Sequence, residues 1–328
     1  MAQVHKTSLS SVAGLAWAAA WRAQAAHLLF FAVVPQAVAA GESAIKIVFL
    51  PFLLLSFSDR TVEHVGIETE ALVAAIDAGA TAHPDLMLVH GGRSDEAVAS
   101  AAPRHARIRF LSTHGERAGP NFSYFTIAQP QSAFLAGVLA GLLTQSGTVG
   151  HLSGIRIAPG PRSRAAYAAG VRHGNPGARL LTCFCGTQED NAVTYRAARA
   201  EIDAGADVIY TMLNGGRRGA IEACRERGVS QIGNVRDWTT VDPEVFVGAA
   251  NADTGRLVHA WIDDVMNARL VDGELRTLGL ADSQAVRLAM AARVPPEVQA
   301  RVQDAALCLK AGLIALPLEY DGPEFAFP

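Results

Sequence analysis

The chain has 328 residues, of which 50% are hydrophobic and 18% charged, with 28 Lys and Arg against 31 Asp and Glu for a formal net charge of −3. That balance excludes a nucleic-acid footprint, which needs a clustered basic excess, and the apolar content excludes a disordered chain. The length exceeds what one core usually fills, so two lobes are expected.

At the N-terminus, Lys6 precedes an apolar stretch from Leu9 to Trp21, followed by Ala23-Gln24-Ala25. A second apolar run, His27 to Val34, leads to Pro35 and Ala37-Val38-Ala39. Positive, apolar and small-x-small regions in that order are the pattern of a cleavable export signal, and each run is shorter than the roughly 20 residues of a membrane span. Residues 1–40 are therefore expected to be a leader and the mature protein periplasmic; if the segment is not a signal, the protein is cytoplasmic. No Cys follows either cleavage site, so no lipid anchor is expected.

Ile45 to Leu50 reads as a buried parallel strand, apolar on both faces. Leu72, Val73, Ile76 and Ala80 share one face of a helix beginning at Glu70, which Pro84 stops. Asp85 to His90 is the next strand, Ser94 caps a helix over Asp95–Ala102, and Arg107–Leu111 is a strand. The alternation resumes with helices at Ser132–Thr144, Arg162–His173, Asn191–Ala204 and Gly216–Arg227. Strands at Thr148–Leu152, Arg179–Cys185, Ala206–Tyr210 and Ser230–Gly233 lie between and after them. Such alternation predicts an α/β fold with parallel sheets flanked by helices. Asp85-Leu86-Met87-Leu88-Val89 and Asp207-Val208-Ile209-Tyr210 echo each other, and each opens into Gly-Gly-Arg, at Gly91–Arg93 and Gly215–Arg217. Two similar lobes follow, with ligand-binding loops at the carboxyl ends of their strands.

The sequence contains no phosphate-binding loop, no dinucleotide fingerprint and no nucleophile elbow, so it is not expected to be an enzyme. Its four cysteines show no zinc spacing, and no metal or other cofactor is expected. His90, His114 and His151 read as loop or edge histidines. The polar residues at predicted strand ends are the candidate ligand shell: Gly92, Ser94 and Asp95, then Phe184, Gln188 and Asp190, then Asn214 and Arg217, then Asn234, Asp237 and Trp238. Amides match base edges, Asp accepts from a diol, and an aromatic ring offers a flat apolar face.

The run Phe134-Leu135-Ala136-Gly137-Val138-Leu139-Ala140-Gly141, with Thr144 and Gly147-Thr148-Val149-Gly150, resembles the signature of the basic membrane protein family. These are purine-nucleoside-type substrate-binding proteins of ABC importers. The resemblance continues through Ala169-Gly170-Val171, Ile202–Ile209, Ala220–Cys224, Ile232-Gly233 with Asp237, and Val294-Pro295-Pro296-Glu297-Val298. It implies a two-lobe periplasmic-binding fold of type I that closes about a hinge on a nucleoside, a nucleobase or a similar solute. The N-terminal lobe would take 41–128 with part of 235–328, the C-terminal lobe 129–250, and the crossovers would form the hinge. ABC permease and ATPase subunits would be the partners. Asp237, the Gly186–Asp190 loop and the Gly91–Asp95 loop fall on the family's ligand contacts. The sequence departs from the pattern in leaving little room for the usual first helix after Ile45–Pro51, and in placing Gln131 where the family carries a carboxylate. Two alternative functions on the same fold are a ligand-sensing regulator and, least favoured, an enzyme.

Overall fold

The computed structural model describes residues 69–81, 83–90, 94–113, 115, 117–157, 159–267 and 269–327, with the backbone of three further strands near the N-terminus. These are β1 (Thr7–Ser8), β2 (Phe30–Val34) and β3 (Ile45–Pro51). Apart from β1 and β2, the expected leader lies outside the described residues, as do 52–68 and the Gly91–Arg93 loop. Among the described residues, no helix is long and apolar enough to cross a membrane. The chain forms two compact units and passes between them after Thr126, Thr254 and Thr277. Of the C-terminal third, Gly255–Thr277 belongs to the first unit and Leu278–Pro328 to the second.

The first unit continues with α1 (Thr69–Ala80), β4 (Leu86–His90), α2 (Ser94–Ala101), β5 (Arg109–Thr113) and β6 (Phe122–Ile127). After the chain returns, α7 (Thr254–Met266) and β12 (Leu275–Leu278) complete it. Its sheet has the order β1-β2-β3-β4-β5-β6-β12. Strands β3 to β6 run parallel in sequence order, and β2 lies antiparallel to β3. Leu72, Ile76 and Ala80 recur every four residues on α1, and Ala97, Val98 and Ala101 form the matching stripe on α2. These stripes pack on Met87, Val89, Phe110 and Tyr124 of the sheet.

The second unit contains α3 (Gln129–Leu143), β7 (Thr148–Ser153), α4 (Gly160–Gly174), β8 (Arg179–Phe184) and α5 (Asn191–Asp203). It continues with β9 (Val208–Met212), α6 (Arg217–Arg227), β10 (Ser230–Val235), β11 (Phe246–Ala252), β13 (Val286–Met290) and α8 (Pro296–Lys310). The strand order is β13-β11-β10-β9-β7-β8, parallel except for β13. Phe134 of α3, Tyr167 of α4 and Val302 of α8 pack with Val149, Tyr210 and Ile232 on one face. Ala197 of α5 and Ala220 of α6 pack with Leu152 and Ile209 on the other. The order reverses between β7 and β9, which makes their carboxyl ends the topological switch point where doubly wound sheets bind ligands.

Helices α3 and α4 meet backbone to backbone. A Cβ on Gly137 would stand 2.1 Å from the Tyr167 carbonyl oxygen, and one on Gly170 would stand 2.0 Å from that of Phe134. Neither backbone can yield without moving a whole helix. Gly170→Ala is therefore expected to destabilise the protein by about 3 kcal/mol in chemical denaturation, the upper range for overpacking. Gly177→Ala, whose added carbon would meet only Asn175 Oδ1 at 3.6 Å, is the control and should leave the midpoint nearly unchanged. Equal losses in the two variants would refute the close-packing account.

Candidate functional site

Four loops leave the carboxyl ends of the second sheet, at 153–156, 184–190, 212–217 and 234–238. They bring eight of the expected residues to one end of that unit: Phe184, Gln188, Asp190, Asn214, Arg217, Asn234, Asp237 and Trp238. Ser94 and Asp95 belong to the first unit, and Gly92 lies outside the described residues. Ser94 is fully buried at the start of α2; its hydroxyl lies 2.5 Å from that of Ser112 and donates to the Thr113 carbonyl at 2.8 Å. Asp95 is half-buried beside it, and its carbonyl accepts from the Tyr124 hydroxyl at 2.6 Å.

In the second unit, Arg217 opens α6 and is only 8% exposed. Its guanidinium donates to Asn234 Oδ1 at 2.8 Å, to the Asn234 carbonyl at 3.4 Å and to the Leu213 carbonyl. Burial, and then the neighbouring charge of Arg236, lower its pKa to about 9, so it remains cationic at neutral pH. Trp238 lies against it, with the Arg217 guanidinium 4.2 Å and the Arg236 guanidinium 4.0 Å from the ring centroid. The indole also stacks on Phe246 at 5.4 Å and donates to the Asn234 carbonyl at 2.9 Å. The surface that the sequence offered to a base thus carries two arginines.

Between Asn234 and Arg236, Val235 has φ 69° and is 40% exposed. The Arg236 N–H donates back to the Asn234 carbonyl at 2.9 Å, closing a three-residue turn across Val235. A β-branched residue in that region is strained, and such strain persists only where the surroundings hold it. Here the holding group is the Asn234 carbonyl, which accepts from the Arg236 backbone, the Trp238 indole and Arg217.

The acidic residues turn inward on their own loops. Asp190 caps α5, accepting from the N–H groups of Ala192 at 2.8 Å and Val193 at 3.1 Å. Asp237 Oδ1 accepts from the Thr239 N–H at 3.0 Å and hydroxyl at 2.5 Å. Asn214 is exposed, and its N–H donates to the Gln188 carbonyl at 3.1 Å, as the Gly216 N–H does at 2.9 Å. Phe184 is half-buried at the end of β8. Gln188 packs against Gly154, where a Cβ would stand 2.4 Å from its side-chain carbon. Its Oε1 is buried and has no hydrogen-bond partner. That orphan acceptor lies on the β8 loop against the residue that follows β7, beside the switch point. Gly154 was not among the strand-end residues that the sequence singled out; Arg236 and Glu189 were, though outside the candidate ligand shell, and Glu189 Oε2 accepts from the Gly215 N–H at 2.7 Å. At Gln131, Oε1 accepts from the Leu280 N–H at 2.7 Å, a role an amide fills as well as a carboxylate.

Beneath the loops, the sheet holds ionisable groups in their neutral forms. His151 is not the loop or edge residue expected from the sequence but sits fully buried in β7, its Nδ1 2.8 Å from the Thr182 hydroxyl. Burial, then the nearby charge of Arg164, push its pKa down to about 3. On the opposite face Glu201 is also fully buried, and burial raises its carboxyl well above the usual range.

A doubly wound parallel sheet with loop-borne polar groups at its carboxyl ends is the architecture of the type I periplasmic solute-binding proteins. A solved ABC transporter solute-binding protein from Aeropyrum pernix K1 superposes with a TM-score of 0.67 over 77% of this chain and 83% of its own, at 18% identity. Residues 56–308 match the family described as ABC transporter substrate-binding protein PnrA-like, and the chain belongs to that family. It is 25% identical over 155 residues to basic membrane protein A2 of Borrelia garinii subsp. bavariensis, covering 47% of this chain and 46% of that protein. It is 21% identical over 154 residues to a purine-binding protein of Brucella abortus, covering 47% and 43%. The chain spans about half the length of these curated relatives.

The two neutral groups act in opposite pH windows. His151 is depressed, so its contribution to stability is full above the ordinary value of 6.5 and is lost as pH falls towards about 3. Glu201 is raised, so its contribution is full below 4.5 and is lost as pH climbs through its folded value. Glu201→Gln, which cannot ionise, should raise the melting temperature relative to wild type more at pH 8 than at pH 5. A shift independent of pH would mean that Glu201 is not held neutral.

Proposed function

We propose that this protein is the substrate-binding component of an ABC importer and that it takes a purine nucleoside or base at the carboxyl strand ends of its second unit. The single observation that carries the ligand class is Gln188, a buried amide acceptor without a partner at the edge of the switch point. Buried polar groups are rarely left unsatisfied, and a purine edge supplies the N–H donor that an amide oxygen accepts. Family membership and the purine-binding relative point the same way. The solute is held and handed on without being transformed, to permease and ATPase subunits. Export to the periplasm belongs to the same proposal.

Titration calorimetry with purine nucleosides, purine bases, pyrimidine nucleosides and simple sugars is the test. Purine ligands should bind and sugars alone should not. Gln188→Leu should weaken purine binding by about 5- to 100-fold, the equivalent of one buried hydrogen bond of roughly 1–3 kcal/mol. Absence of binding by every purine at millimolar concentration would overturn the proposal. An unchanged affinity in Gln188→Leu would remove Gln188 from it.

A further inference from the structure

A cluster that shares only Phe184 with the expected ligand shell forms where β8 ends. Glu324, in the segment that follows α8, places its Oε1 2.7 Å from Arg156 Nη2 and in contact with Arg164 Nη1. The two guanidiniums lie over the Phe184 ring at 4.6 and 4.8 Å from its centroid, and Arg164 lies 4.7 Å from that of Tyr320. Arg156 comes from the loop after β7 and Arg164 from the early part of α4. Both therefore stand at the strand-end side of the unit, close in sequence to Gly154 and the start of that helix.

Three features distinguish this cluster from an ordinary surface ion pair. Arg164 is only 5% exposed, yet its buried Nε has no hydrogen-bond partner, and the hydroxyl of the adjacent Ser163, fully buried, also has none. Two cations face a single carboxylate, and of the two it is Arg164 whose charge lies largely out of solvent, where a charge calls for a strong partner. The Glu324 side chain is 43% exposed, so it can withdraw without opening the core. The segment is otherwise held nearby by the Phe325 N–H donating to the Thr182 carbonyl on β8 at 2.7 Å. A phosphate monoester carries close to two negative charges and three acceptor oxygens, matching two guanidinium forks better than one carboxylate does. The nearby first turn of α4 adds a favourable field for an anion.

We infer that the Arg156–Arg164 clamp is a phosphate-binding subsite for the solute and that Glu324 is an internal occupant which the phosphate displaces. This rests on the purine reading above, because the phosphate is taken to be carried on a purine nucleoside. The experiment is titration calorimetry of the full chain with a purine nucleoside, its 5′-monophosphate and inorganic phosphate, on wild type, Glu324→Gln and Arg156→Gln. Glu324→Gln should bind the monophosphate about tenfold more tightly than wild type, the gain expected if the acid fills the clamp about nine-tenths of the time. Nucleoside affinity should stay unchanged. Arg156→Gln, a substitution at an exposed side chain, should lose whatever preference wild type shows for the monophosphate over the nucleoside. Monophosphate binding no tighter to Glu324→Gln than to wild type would overturn the inference and leave a staple for the C-terminal segment. If Glu324→Gln fails to fold, an equal preference in Arg156→Gln and wild type overturns it instead. A gain for monophosphate or inorganic phosphate in Glu324→Gln without nucleoside binding would support the clamp and defeat the purine nucleoside reading. Nucleoside binding without any anion effect would do the reverse.

Discussion

The approach of α3 to α4 at main-chain distance is the constraint on which the second unit depends. Gly137 and Gly170 face carbonyl oxygens of the opposite helix, and one turn on Gly141 faces the Val171 carbonyl while Gly174 faces that of Val138. Two glycines spaced by four residues on each helix leave no room for side chains along the seam. With the helices so close, α4 lies low on the sheet, and the Tyr167 hydroxyl reaches the Gly150 carbonyl of β7 at 3.0 Å. Tyr167 in turn stacks on Tyr210 at 5.0 Å, which fixes how α4 sits over both strands of the switch point. The start of α4, with Ser163 and Arg164, is positioned by the same seam.

At the strand ends, main-chain acceptors hold the Arg217 junction, while the carboxylates of Glu189, Asp190 and Asp237 accept from backbone N–H groups of the loops and of α5. The Arg217 charge is distributed over two carbonyls and one amide oxygen, and its flat face is closed by an indole. Hydrogen bonds to a charged group are stronger than neutral ones, so one residue joins β9, β10 and the Trp238 loop. The strained Val235 is the cost of that junction: the chain must turn back sharply for Asn234 to offer its carbonyl to three donors. The result is a rigid floor. Adaptability is left to the exposed side chain of Asn214 and to Gln188, whose acceptor awaits a donor.

Much of this was legible in the sequence, for reasons that also explain the gaps. Strands β4 and β9 stand out because they are buried and read as largely apolar runs. Asp190 before α5 and Gly228 after α6 act as the local caps their residue types suggest, with Gly228 at φ 65°. By contrast β11 is built as Phe-Val-Gly-Ala-Ala-Asn-Ala, and its glycine and alanines carry no strand preference. It is a strand because β10 and β13 pair with it from either side. The aromatic β6 was missed for a related reason, since it lies outside the helix-strand rhythm that guided the reading. The site follows the same rule. Loop position at a strand end is local information, and the eight residues it named do lie at one end of the second unit. The partner of each side chain is not local: Arg217 finds Asn234 and Trp238 on the next strand's loop, and Arg164 finds Glu324 some 160 positions away.

This distinction bears on how such a site can change its ligand. Residues engaged with their own loop, such as Asp237 with Thr239, maintain shape and can be replaced only at the expense of the turn they close. Residues whose polar atoms are buried and unmatched, Gln188 and Arg164, already carry a desolvation cost that nothing in the resting chain fully offsets. A ligand group that pairs with them recovers that cost on binding, at Gln188 directly and at Arg164 by taking the place of Glu324. On the proposed reading, selectivity concentrates at these few positions that the fold leaves incomplete, while the surrounding loops are tied to carbonyls and caps. If Gln188 meets the ligand as proposed, exchanging it for another buried polar residue alters which ligand edge is accepted and leaves the Arg217–Asn234 junction intact, because no hydrogen bond of that junction passes through the Gln188 side chain.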